Sequence, residues 1–188
     1  MQASMKRYVS VVGAGEATAG LCEAAREAGH ALAAQGVVIV TGGLGGVMSA
    51  AAEGAAAAGG LSLGLLPGST RGEGNPHSTM TLPTGMGELR NGLVVRAADV
   101  VLAIGGSWGT LSEIALALRT GVPVVTYQSW KPAQLESRED VAAQPNPGIQ
   151  HAETLSDAVE MVWAHLDLVW SRVDLADLDK MNTKAGVD

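Results

Sequence analysis

The chain has 188 residues, 47% of them hydrophobic, with no phenylalanine and a formal net charge of −7 at pH 7. That length supports one domain with a full core rather than two, and the acidic balance offers no basic stripe for nucleic acid or an anionic membrane. A single cysteine, Cys22, excludes an internal disulfide, no apolar run reaches the length of a membrane span, and the lack of a signal-peptide pattern at the N-terminus makes the cytoplasm the expected location.

Tyr8 to Val12 is a short apolar run that ends in Gly13-Ala14-Gly15, the pattern of a buried strand entering a turn. Thr18 to Ala34 is rich in Ala, Leu and Glu and is followed by Gly36, so a helix with a glycine stop is expected. Val37 to Val40 predicts a second strand, Gly46 to Ala58 an alanine-rich helix, and Leu61 to Leu66 a third strand stopped by Pro67-Gly68. A polar loop covers 69–77, and Ser78 to Leu82 has the character of a short strand. Then come a helix over Met86 to Ala97, a strand over Val100 to Ile104, a helix from Thr110 to about Leu118 and a strand over Val122 to Tyr127. Residues 131–148 carry prolines and charges and suggest an excursion or lid. Thr154 to Leu166 places Leu155, Ala158, Val159, Val162, Trp163 and Leu166 on one face of a helix, with Thr154 and Asp157 as its N-terminal cap. The polar tail from Ser171 to Asp188 is expected to pack weakly or fray.

Continuous hydrophobic strands that alternate with helices predict a single α/β domain, a Rossmann-like, doubly wound parallel sheet covered on both faces. In the order third, second, first, fourth, fifth, the strands at 8–12 and 100–104 lie side by side at the switch point. Ligands bind at such a point, at the carboxyl ends of the strands.

Three glycine-bearing loops face that crevice. The first, Gly13-Ala14-Gly15, is not a full G-x-G-x-x-G, and Thr41 stands where a dinucleotide ribose would want an acid, which argues against NAD. The second carries Gly42, Gly43, Gly45 and Gly46 ahead of Met48 and a helix. Bare amides there suit an anion, and tight turn geometry would use the same glycines. The third, Gly105-Gly106-Ser107-Trp108-Gly109-Thr110, offers amides and two hydroxyls at a helix N-terminus without the lysine of a Walker loop. Glu113 fits a capping box with Thr110, which the local sequence favours; a carboxylate beside a bound phosphate is the sharper alternative. Arg90 suits a phosphate or a ribose hydroxyl, and equally a salt bridge with Glu88 or Glu53. Trp108 stacks on a base or fills its loop. Trp130, Trp163 and Trp170 have core or interface character. His77, His30, His151 and His165 lack metal-ligand spacing, so no metal is expected.

GGLGGVMSAAAEGA, GMGELRN and AIGGSWGTLSEIALAL, in that order, resemble the SLOG-type superfamily that includes the Lonely-guy enzymes and the molybdenum-cofactor carrier proteins. The branch with the GGxxGTLSEI motif is the nearer match. The resemblance covers residues 8 to 127 and implies homodimers. For an enzyme of the Lonely-guy kind it implies hydrolysis of the N-glycosidic bond of a nucleoside 5′-monophosphate. Arg90 and Glu113 would be the catalytic pair, the glycine loops would hold the phosphate, and no cofactor would be required. A fixed carboxylate would stabilise the positive charge that develops on the ribose. The chain departs from that enzyme pattern at Gly105, Ser107, Asn91 and Ser112, which stand in place of proline, glycine, lysine and glutamate. The alternative is a non-enzymatic carrier whose crevice holds the molybdenum cofactor or another phosphorylated ligand.

Overall fold

The computed structural model describes residues 6–131 and 148–185. The lid expected over 131–148 falls almost wholly outside the described residues. Seven parallel strands form one sheet: β1 (Tyr8–Gly13), β2 (Val38–Thr41), β3 (Ser62–Leu66), β4 (Met80–Pro83), β5 (Val100–Ile104), β6 (Val124–Tyr127) and β7 (Ile149–Ala152), in the order β4-β3-β2-β1-β5-β6-β7. The expected five-strand order stands at its centre, with one strand added at each edge. The β1–β5 register brings Gly13 opposite Ile104, so the switch point falls between the two strand tips that carry the first and third glycine loops.

Among the described residues five α-helices cover the sheet: α1 (Ala19–Ala33), α2 (Val47–Ala57), α3 (Asn91–Arg96), α4 (Trp108–Thr120) and α5 (Leu155–Ala185). Strand alternation sorts the core into two layers. Val9 and Val11 of β1 join Ala25, Leu32, Ala51, Val162 and Leu166 of α1, α2 and α5. Val12 turns the other way, to Val94, Val95, Ile114 and Ala117 of α3 and α4. Ser10 is fully buried, and its hydroxyl is satisfied by donating to the Val94 carbonyl at 2.6 Å. Small residues let α1 and α2 meet backbone to backbone: a Cβ on Gly54 would lie 1.9 Å from the Arg26 carbonyl oxygen. Cys22 is partly buried against this layer.

Thr18 caps α1 through the Leu21 amide. Thr154 and Asp157 cap α5 reciprocally, each side chain accepting from the other's amide at 3.1 Å. The structure adds to or changes the sequence reading at three places. The helix over Met86–Ala97 begins as a tight 3-10 turn at Gly87–Arg90, after positive φ at Gly85 and Gly87, and becomes α-helical only at Asn91. α5 runs past Ser171 and on to Ala185, through a stretch with no proline or glycine to stop it. Ile149–Ala152 is an edge strand that a short mixed sequence did not announce.

Candidate functional site

At the carboxyl ends of β1, β2 and β5 lies a cavity of about 160 Å³ lined by Val12, Gly13, Gly15, Gly42, Leu44, Met48, Glu88, Arg90, Asn91, Ser107, Gly109, Thr110 and Glu113. Each segment of its wall follows from a local choice. The first two loops dock on each other, the Val47 amide donating to the Ala14 carbonyl at 3.1 Å. Gly46 has φ +59°, and a Cβ there would sit 2.3 Å from the Ala14 carbonyl oxygen, so only glycine allows that contact. The second loop is also held from outside. Asn75 donates through Nδ2 to the Gly43 and Leu44 carbonyls, and its Oδ1 accepts from the amides of His77 and Ser78. Sequence reasoning placed Asn75 in a polar loop and missed this positioning role, because its partners lie some thirty residues away in the chain. Buried Thr41 accepts from the Gly43 amide, so the residue in the dinucleotide acid's place holds the turn.

The third loop opens α4. The N-cap is Ser107, paired reciprocally with Thr110: the Ser107 side chain accepts from the Thr110 amide, and the Thr110 hydroxyl from the Ser107 amide. The cap expected between Thr110 and Glu113 therefore does not form. Glu113 lies a turn further on, 6% exposed, in the cavity wall.

Arg90 stands opposite, also 6% exposed. The 3-10 turn and the start of α3 swing it under the second loop, where Nη2 donates to the Gly42 carbonyl at 3.3 Å and Nη1 donates to the Asn91 side chain. Gly42 is needed for that approach, since a Cβ would lie 2.7 Å from Nη2 and from the Met48 sulfur. Arg90 Nη1 is 3.9 Å from Glu113 Oε1, and the buried Nε has no acceptor among the described residues. Of the two salt bridges considered from the sequence, the one to Glu53 goes elsewhere, for Glu53 pairs with Arg26 at 3.0 Å, while Glu88 lines the same cavity as Arg90. Burial pushes the Glu113 carboxyl up to about 7, Arg90 pulls it partly back, and Glu88 adds a further push. Asn91 extends the network to Ser112, whose hydroxyl donates to the Gly109 carbonyl at 2.7 Å.

The cavity thus brings together Gly13, Gly15, Gly42, Met48, Arg90, Ser107, Gly109, Thr110 and Glu113. Gly43, Gly45, Gly46, Gly105, Gly106 and Trp108 do not line it. Gly43 packs on Leu66 and Gly64, Gly45 and Gly46 on the first loop, and Gly105, at φ +60°, on Leu21. Glu88 and Asn91 line it without having been singled out for the site. Among the described residues no group of three or more His, Cys, Asp and Glu could hold a metal ion, and no helix is long and apolar enough to cross a membrane.

An open parallel α/β sheet with a charged cavity at its switch point places the chain in the Rossmann-like class, in which ligands bind at that cleft. Within that class the chain belongs to the SLOG cluster4 family, whose model matches residues 6–158. An uncharacterized protein of Archaeoglobus fulgidus is 39% identical over 118 residues, 63% of this chain and 78% of that one. The molybdenum cofactor binding protein of Rippkaea orientalis superposes with a TM-score of 0.76 at 32% identity, over 86% of this chain and 98% of that one. The molybdenum cofactor carrier protein of Chlamydomonas reinhardtii gives 0.73 at 28% identity, over 87% and 99%.

Proposed function

We propose that this protein is a non-enzymatic carrier of a phosphorylated, ring-bearing ligand of the molybdenum-cofactor class. The observation that carries the proposal is Arg90, a buried guanidinium in the cavity wall whose Nε has no acceptor among the described residues and whose contact to Glu113 is long, at 3.9 Å. A buried donor without an acceptor costs about 1–3 kcal/mol. A phosphate oxygen entering beside Arg90 would supply charge-assisted acceptors. The likeness to two cofactor-binding proteins over nearly their full lengths favours the same reading.

The ligand is cargo, and the residues that would hold it are Arg90 and the first turn of α4, with Ser107, Gly109 and Thr110 in the cavity wall. The test mixes the purified protein with molybdenum cofactor released from a molybdoenzyme, desalts it and measures retained molybdenum and pterin. Stoichiometric retention is expected. Passage of the cofactor through the column, as with an unrelated protein, would end the carrier reading.

A second reading, hydrolysis of a nucleoside 5′-monophosphate, draws on one specific observation. Glu113, with its carboxyl near 7, stands in the same cavity as Arg90. A carboxyl poised there suits proton transfer to a leaving base or support of an attacking water at neutral pH. Free base released from a panel of nucleoside monophosphates, and lost in Glu113→Ala, would replace the carrier with the hydrolase. The implied homodimer belongs to the same proposal. Leu89 and Leu93, four residues apart, are exposed, and sedimentation velocity measures the assembly.

A further inference from the structure

The cavity is smaller than the ~300–1,000 Å³ typical of small-molecule pockets, so it takes one end of a ligand and leaves the rest outside. Two surface tryptophans stand beside its α4 wall, Trp108 at the start of α4 and Trp130 in the segment that follows β6. Trp108 stands between Ser107 and Gly109, both in that wall, and is 78% exposed. Its ring lies 5.6 Å from that of Trp130, centroid to centroid, with the planes tilted by 32°. Trp130 is fixed in place: its Nε1 donates to the Ser107 carbonyl at 3.1 Å, and its ring covers Gly106, where a Cβ would lie 2.8 Å away. One ring is therefore anchored to the cavity wall, and the other stays open to water beside it. A largely exposed tryptophan fills no core, and its ring meets that of Trp130 at the surface.

We propose that the Trp108–Trp130 pair is a stacking platform for the flat heterocycle of the ligand whose phosphate end enters the Arg90–Glu113 cavity. An aromatic face selects for a planar ring without reading its edge, and it needs no charge on that ring. This inference rests on the proposed function, because it assigns the second half of the same ligand.

The experiment titrates the intact protein, by calorimetry, with 6-hydroxymethylpterin monophosphate and GMP as ring-bearing probes and ribose 5-phosphate as the ringless one. Trp108→Ala is expected to weaken the ring-bearing ligands by roughly ten-fold and to leave ribose 5-phosphate unchanged. Trp108→Phe should restore most of the loss. Gly106→Val, which displaces the Trp130 ring without removing it, should weaken the same two ligands. Equal effects on ringed and ringless probes, or no effect on either, would overturn the platform while the phosphate cavity stands. If no probe binds the wild-type protein, the proposed function fails and the platform fails with it.

Discussion

Glu113 is the carboxyl in the cavity wall whose ionisation burial alters. Its carboxyl rises from 4.5 to about 7 chiefly through burial, so the folded state holds a proton that the unfolded chain releases. The associated stability is fully present below pH 4.5 and is lost as pH rises through about 7. The difference is on the order of 3 kcal/mol. Glu113→Gln removes the titration. The variant should gain stability relative to wild type between pH 5 and pH 8, which urea melts at the two pH values would measure. A neutral Glu113 also leaves Arg90 free to attract an anion, so a phosphorylated ligand should bind wild type more tightly at pH 6 than at pH 8, and the Gln variant with little change. The sequence offered Arg90 and Glu113 as candidates for a phosphate site, and also offered a capping box for Glu113. That ambiguity was local: Thr110 stood three residues before Glu113, and nothing in the sequence showed that Ser107 would cap with Thr110 instead.

At the scale of elements, the loops are built by close contacts more than by open amides. The second loop meets the first through Gly46, and Asn75 holds it from the far side. Gly46→Ala combines positive φ with a backbone clash and should cost about 2–3 kcal/mol. A thermal melt should then fall by roughly 5–10 °C, with ligand binding weakened in the same variant. The central strands were legible because buried parallel strands are unbroken apolar runs, as in Val100–Ile104. Ile149–Ala152 was not, since a strand paired on one side only can carry Gln150 and His151. The split of the expected helix at Met86–Ala97 was hidden for a different reason. Glycine at 85 and 87 signals a turn, and the sequence does not show that the turn continues as 3-10 up to Arg90.

At the scale of the molecule, the chain order dictates the site. The strands run outward from β1 through β2, β3 and β4, and then restart at β5 and run the other way through β6 and β7. The two halves leave one cleft at their junction, and Gly13, Gly42 and Ser107 meet there although nearly a hundred residues separate the first from the last. That much follows from alternating strands and helices with right-handed crossovers. The two-layer core, with α1, α2 and α5 on one face and α3 and α4 on the other, fixes the rims of the cleft in place. The most direct measurement is calorimetric binding of 6-hydroxymethylpterin monophosphate to wild type and to Arg90→Met at pH 6.5, with circular dichroism confirming that both are folded. The account predicts a loss of about 100-fold in the variant; equal affinity in the two proteins would contradict it.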